Sequence, residues 1–301
     1  MLTTRLIFSL SALLLMAPKP AYRLFDAAGQ PTAWEALVER AAGADVVLYG
    51  ELHNDALTHW LQRELLRDLH ARRGDQLLVG MEMFEADDQI VVDEYFAGLI
   101  SDTRFEQETK LWNNYATDYR PLLAYARAEG LPLVATNVPR RYASLVAQRG
   151  PAALDSLDPA AKAWLPDLPV AVDLELPGYR NMIGMMGDHG DATQAENLVR
   201  AQALKDAAMA HRIARYRADG QTMLHFNGAY HSDDHGGLSH GGPLGEVNYE
   251  GIGTYLRAAN PDLRLLTIST VTQSQLDSLA REHQGRADFI VVVPENAAKT
   301  Y

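Results

Sequence analysis

Short, bare apolar runs alternate with longer amphipathic segments from about residue 45 to residue 293. The runs at 45–49, 76–81, 131–136, 222–226, 263–269 and 287–293 have little polar alternation, as parallel strands covered on both faces should. Between them, 56–73 places Leu57, Trp60, Leu61, Leu65 and Leu69 at helical spacing, and 194–216 does the same with Leu198, Ala201, Leu204, Ala208 and Ile213. Strand followed by amphipathic helix, repeated, predicts an α/β fold with a mainly parallel sheet flanked by helices. Segment 98–130 opens at Gly98 and is rich in polar and aromatic residues, whereas 151–193 holds five prolines and many glycines. The second segment predicts an inserted helical cap over a ligand. No internal repeat or low-complexity tract interrupts this organisation.

The first 21 residues break the pattern. One positive charge, Arg5, precedes an apolar run from Leu6 to Met16 and a small-residue region from Ala17 to Ala21. Eleven apolar residues are too few to span a bilayer, so 1–21 reads as a secretory signal peptide and 22–301 as one α/β domain that includes the cap. The expected product is exported, periplasmic or associated with the cell envelope, with no stable membrane span. Of the 301 residues, 47% are hydrophobic and 22% charged, which fits a packed globular chain. The net charge of -12 becomes -14 once the leader's two cations, Arg5 and Lys19, are removed. Such a field argues against nucleic acid as a partner. With no cysteine, disulfides, thiolate metal sites and a cysteine nucleophile are excluded, and any metal must be held by nitrogen or oxygen.

Polar residues terminate several of the apolar runs. The first leads into Gly50-Glu51-Leu52-His53, the second ends at Glu82, and the fourth leads into Asn227-Gly228-Ala229-Tyr230-His231. In an open parallel sheet, ligands bind beyond the carboxyl ends of the strands, so these residues are expected to share a site. Gly-x-x-His occurs twice, at Gly50/His53 and Gly228/His231; a glycine there would permit a tight departure from the strand. The third run leads to Asn137, followed by Pro139, Arg140 and Arg141 at a helix start, a setting suited to an anionic group. Neighbouring helical residues diverge by about 100°, so Arg140 and Arg141 are not both expected to face the cleft. The alternative is that Arg140 pairs with Glu51 or Glu82 and holds the site together. His225, His231, His235 and His240, with Asp233 and Asp234, form a second cluster that is either a nitrogen/oxygen metal site or a solvated loop. His59, His70, His211 and His283 fall within helical patterns and are expected at the surface.

Taken with Gly50-Glu51-Leu52-His53-Asn54-Asp55, several further stretches carry a family likeness: Gly80-Met81-Glu82-Met83-Phe84 with Gln89 and Asp93, Trp112 with Tyr119 and Pro121, 135–140, Ala201-Gln202 through Asp206, and Gly228-Ala229-Tyr230-His231. In this combination, spread over about residues 22–255, the chain resembles the ChaN-like haem-binding uptake family of the Tiki superfamily. The resemblance implies an α/β fold with a helical cap, an exported protein of haem or iron acquisition, and haem bound through a tyrosine at a homodimer interface. Familiar members are lipoproteins, whereas this chain has no lipobox cysteine. Tyr49 and Tyr230 adjoin the two Gly-x-x-His motifs and are candidate phenolate ligands to haem iron, with His231 and Arg140 beside them, although a packed core position is the first expectation for Tyr49. Met81, Met83, Met182, Met185 and Met186 either face a porphyrin or fill core gaps.

The wider superfamily also contains metal-dependent proteases and erythromycin-esterase-like hydrolases built on paired Gly-x-x-His motifs and a glutamate. Glu51, His53, Glu82 and His231 match that constellation. They could ligate a divalent metal ion, or act as bases and water activators in a peptidase or esterase. Haem binding without catalysis is the first reading and metal-dependent hydrolysis the alternative.

Overall fold

The computed structural model describes residues 20–186, 192–236 and 249–301. Residues 1–19 of the expected leader, 187–191 of the expected cap, and His240 of the His/Asp cluster lie outside the described residues. The strands are β1 (Arg23–Asp26), β2 (Val46–Glu51), β3 (Leu77–Glu85), β4 (Leu133–Asn137), β5 (Thr222–Gly228), β6 (Leu265–Gln273) and β7 (Phe289–Pro294). The helices are α1 (Trp34–Ala42), α2 (Ala56–Arg73), α3 (Gln89–Phe96), α4 (Asp102–Glu108), α5 (Arg120–Ala128), α6 (Arg140–Arg149), α7 (Pro159–Lys162), α8 (Pro177–Met186), α9 (Ala192–Tyr216) and α10 (Ile252–Ala259). Among the described residues they build one seven-stranded sheet in the order β1-β7-β6-β2-β5-β3-β4. Every neighbouring pair is parallel except β1 with β7. The expected mainly parallel α/β architecture is therefore present. The apolar pattern does not predict β1, because four residues with a single apolar pair are too short for a period to be read.

Side chains alternate between two cores along each strand. On β2, Val47 and Tyr49 pack with Leu61, Leu65, Leu66 and Leu69 of α2, whereas Val46 and Leu48 pack with Met209 and Ile213 of α9 and Leu256 of α10. Both faces are covered, which is why the strands read as bare apolar runs. Helix α2 runs over the residues expected of it; Asp55 caps it by accepting from the Thr58 amide at 2.9 Å, a contribution of about 1 kcal/mol. Trp60 and Leu198, counted on the apolar stripes from sequence, are exposed instead. Each stripe is narrower than the spacing alone suggests.

The expected cap contains a 3-10 turn at Pro151–Ser156, α7 and α8. Leu154 and Leu165 pack with α6 and with Leu204 and Ala208 of α9, while Tyr179 of α8 packs on Val199 and Ala203. Three hydrogen bonds fasten the start of α8 to the domain beneath. The Gly178 amide donates to Glu250 at 2.7 Å, the Tyr230 hydroxyl donates to the Gly178 carbonyl at 2.6 Å, and the Tyr179 hydroxyl donates to Asp206 at 2.7 Å. No helix of the described residues is long and apolar enough to cross a membrane.

Candidate functional site

Strands β2, β3, β4 and β5 run past the ends expected from their apolar runs, so Glu51, Glu82, Asn137 and Gly228 belong to the sheet itself. Glu51 lies opposite Gly228, and Glu82 follows the Met81 to Phe226 pair. Parallel registration thus gathers the two Gly-x-x-His motifs and Glu82 at the carboxyl edge of the sheet. The motif glycines act through close packing, since neither has a positive φ. A Cβ on Gly50 would stand 2.8 Å from the Ala229 Cα, and one on Gly228 would stand 2.7 Å from Cε1 and Nε2 of His53.

Glu51 is buried and its oxygens are already occupied. Oε1 accepts from His53 Nδ1 at 2.9 Å and from the Tyr119 hydroxyl at 2.7 Å, and Oε2 accepts from Gln62 Nε2 at 2.7 Å. His59 bridges the Gln62 carboxamide at 3.0 Å and the His53 carbonyl at 3.2 Å. Asn114 donates to the same carbonyl at 2.7 Å and to Asp118 at 2.6 Å. His59 is therefore buried in the support of His53, a correction to its expected place at the surface. Burial disfavours the charged form of His53, but the hydrogen bond and charge of Glu51 outweigh it and raise the imidazole above its ordinary 6.5. With Nδ1 committed to Glu51, Nε2 of His53 has no partner among the described residues and lies at the cavity wall.

His231 is held differently. Its Nδ1 donates to Asp206 at 2.5 Å, its Nε2 stands 3.2 Å from Glu82 Oε1, and the Gly228 amide donates to Glu82 Oε2 at 2.7 Å. Burial opposes a buried imidazolium, yet the two carboxylates prevail and push the His231 pKa up to about 10. Burial likewise opposes the Glu82 anion, and the charge and hydrogen bond of His231 overcome it and hold the carboxyl well below its usual range. Both nitrogens of His231 are spent as donors, so it is a fixed positive charge without a lone pair for a metal.

Of the other sequence candidates, Tyr49 lies in the core beneath β2, where burial pushes its phenol far up. It is not brought to the cavity. The Tyr230 hydroxyl is committed to Gly178, with its ring 4.2 Å from that of His235. Arg140 lines the cleft but pairs with Glu85 and donates to the Lys110 carbonyl at 3.2 Å. Its carboxylate partner is thus neither Glu51 nor Glu82, because β3 continues as far as Glu85 under the start of α6. Arg141 turns away to Asp87 at 2.5 Å. His225 is a buried strand residue between Thr136 at 2.8 Å and Asn227 at 3.0 Å, pushed down to about 4 by burial. Among the described residues no group of three or more His, Asp and Glu side chains is disposed to hold a metal ion. Glu51, His53, Glu82 and His231 do converge, but as two internally paired sets.

Sequence reasoning did not assign a role to Asp206, Gln62, Tyr119 or Lys205. Lys205 lines the main cleft and makes no ion pair among the described residues, one position from Asp206 on α9. The cleft has a volume of about 630 Å³, with Trp112 edge-on to His53 at 4.9 Å and the unpaired Asn137 Oδ1 in its wall. A second cavity of about 430 Å³ lies against the same His53 and His231.

Residues 37–240 match the family model described as haem-binding uptake, Tiki superfamily, ChaN. The chain belongs to the ChaN family. A solved structure described as cofacial heme binding to ChaN of Campylobacter jejuni superposes with a TM-score of 0.64 at 14% identity, covering 90% of this chain and 96% of that one. The type III effector HopBA1 superposes with a TM-score of 0.50 at 12% identity, covering 93% and 100%. At these identities the likeness is one of fold. No curated protein matches by sequence. The ChaN-matched region contains Glu51, His53, Glu82, Asp206 and His231 but ends before β6.

Proposed function

We propose that this ChaN-family chain binds haem in the main cleft and serves haem or iron acquisition as an exported protein. The observation that carries the reading is His53: its Nε2 has no partner among the described residues, faces the cleft, and is fixed in orientation through Nδ1 by Glu51. Imidazole is a known axial donor to haem iron. The remaining lining fits the group as well, with Trp112, Leu111 and Val138 as an apolar wall and Lys205 as a cation for a propionate. A haem bound here supplies a redox-active iron inside a conjugated ring. The chain's own residues would bind and orient it, with His53 as nitrogen donor and Glu51 holding that ring in place. Tyr230 would become a phenolate ligand only after leaving the Gly178 carbonyl, and Tyr49 only after leaving the core. Export through residues 1–21 and pairing of two copies complete the proposal. Titration of apo-protein with haemin should give a saturable Soret shift that His53→Ala abolishes, and sedimentation with and without haemin reads the pairing. No saturable shift in the unmodified protein overturns the reading.

A second reading, hydrolysis, is favoured by the same Glu51 to His53 contact. A carboxylate-oriented imidazole with a free Nε2 beside a fixed imidazolium suits removal of a proton from water by His53. This version needs no metal, since Glu51 is occupied in orienting His53. Turnover in an esterase and peptidase screen, lost in His53→Gln, supports it; an inert protein in every assay removes it.

A further inference from the structure

The cavity on the far side of the His53 and His231 rings lies over the carboxyl end of β2, with the ends of β5 and β6 on either side. Its outer wall is Thr270 and Thr272 of β6, His283 and Arg286, all beyond the region matched by the family model. We propose that this second cavity is a carboxylate-binding site built on Arg286 and completed by the Thr270 hydroxyl and the His283 imidazole.

Three unspent donors carry the assignment. Arg286 has one side-chain partner among the described residues, Asp233, at 3.5 Å, which is too long for a charge-assisted hydrogen bond. The rest of its planar fork is free for a bidentate acceptor. Thr270 Oγ1 and His283 Nδ1 are buried in the same wall without a hydrogen bond of normal geometry, Thr270 beside the Tyr49 hydroxyl and His283 beside the Thr272 backbone. An unpaired buried donor costs about 1–3 kcal/mol, so such groups usually mark a place where something else binds. Burial, aided by the charge of Arg286, pushes His283 down, so its ring is neutral beside Arg286.

Asp233 fixes the class of anion. Burial pushes its carboxyl up to about 6; the Arg286 charge and the Ser269 hydroxyl favour the anion, yet no hydrogen bond closes on Oδ1. Beside a bound carboxylate Asp233 takes up a proton and becomes a donor to it. With Asp233 protonated, a phosphate dianion would still bring one more negative charge towards Glu51 across the cavity than a carboxylate does, so a singly charged, planar group fits better.

Two sources share this chemistry, a propionate of haem reaching past His53 and a separate small organic acid. The first rests on the haem reading, and the second stands without it. Haemin, haemin dimethyl ester and succinate are each titrated into the unmodified protein, Arg286→Ala, Arg286→Lys, Thr270→Val and Arg281→Ala. The last removes the same charge at an exposed site outside the cavity. Arg286→Ala should weaken haemin or succinate by roughly tenfold to a hundredfold, with Thr270→Val losing less and Arg281→Ala unchanged. A loss seen with haemin but not its ester assigns the site to a propionate; a loss confined to succinate assigns it to a separate acid. If the unmodified protein binds succinate through Arg286 but no haemin, the haem reading fails while this one holds. Should Arg286→Ala not fold, Arg286→Lys and Thr270→Val carry the test. Unchanged affinities for both carboxylates in every Arg286 and Thr270 variant that folds overturn the proposal.

Discussion

His53 Nδ1 stands 2.9 Å from Glu51 Oε1, and this contact leaves Nε2 as the one ring nitrogen directed at the cleft. An iron ligand must be neutral, and the same contact raises the pKa of His53 above its ordinary 6.5. Haemin affinity should therefore rise with pH across and above 6.5, as the imidazolium gives up its proton. Glu51→Gln removes the charge, lowers the His53 pKa and should move that profile towards acid. Dissociation constants measured between pH 6 and 9 for both proteins check this; coincident profiles would contradict it.

Gly228→Ala tests the closeness of the two motifs. The added methyl would lie 2.7 Å from His53 Cε1 and Nε2, so the ring must rotate away, while φ of -59° accepts alanine without strain. We expect haemin affinity to fall at least tenfold and the melting temperature to change little. Gly220→Ala, with a φ of +83° and open space around it, should show the reverse pattern of lower stability and intact affinity.

His231 is neutralised by two buried acids, so His231→Gln leaves Glu82 and Asp206 without their cation. The expected cost is about 3–5 kcal/mol in chemical denaturation, the range for breaking a buried ion pair. The pH dependence has a defined sign. Because the folded pKa of about 10 exceeds the ordinary 6.5, the stabilisation is fully present below 6.5 and is lost as pH rises to about 10. Glu82 acts in the opposite direction: its depressed pKa gives stability that is present above its ordinary 4.5 and lost in acid. Asp206→Asn should bring the alkaline loss to lower pH, which denaturation midpoints between pH 6 and 10 would register.

Lys205 and Arg140 should separate affinity from stability. Arg140 is tied to the buried Glu85, so Arg140→Ala is expected to cost about 1–3 kcal/mol while leaving haemin affinity near that of the unmodified protein. Lys205 makes no ion pair among the described residues, and Lys205→Ala should weaken haemin several-fold with stability retained. The opposite assignment of effects would restore Arg140 as the anion-recognising cation.

The fold was legible because both faces of β2, β3 and β5 are buried and their sequences are consequently bare apolar runs. Glu51, Glu82 and His231 stood out for the same reason, as ionisable residues at the ends of such runs. Their supports were harder to see. His59 and Gln62 precede Leu66 on α2 by seven and four residues, and Asp206 precedes Ile213 on α9 by seven. These helical spacings put polar residues on buried faces and were the available signal. The pairing of Arg140 with Glu85 had no signal, because it depends on how far β3 extends. Similarly, the role of Gly228 depends on the His53 ring, which comes from the turn after β2.

The three bonds at the start of α8 join the cap to Asp206, Tyr230 and Glu250, close to His231 in space or sequence. A cap so fastened does not act as a door: lifting it would strip Asp206 of a partner and disturb the charge on His231. No described residue of the cap lines the main cleft, whereas 111–114 do, with Trp112 edge-on to the partly exposed His53. Association and release rates should accordingly respond to substitutions at 111–113 far more than to substitutions along α8. In stopped-flow mixing, Trp112→Ala should quicken entry and exit alike, whereas Tyr179→Phe should leave the rate of entry unchanged.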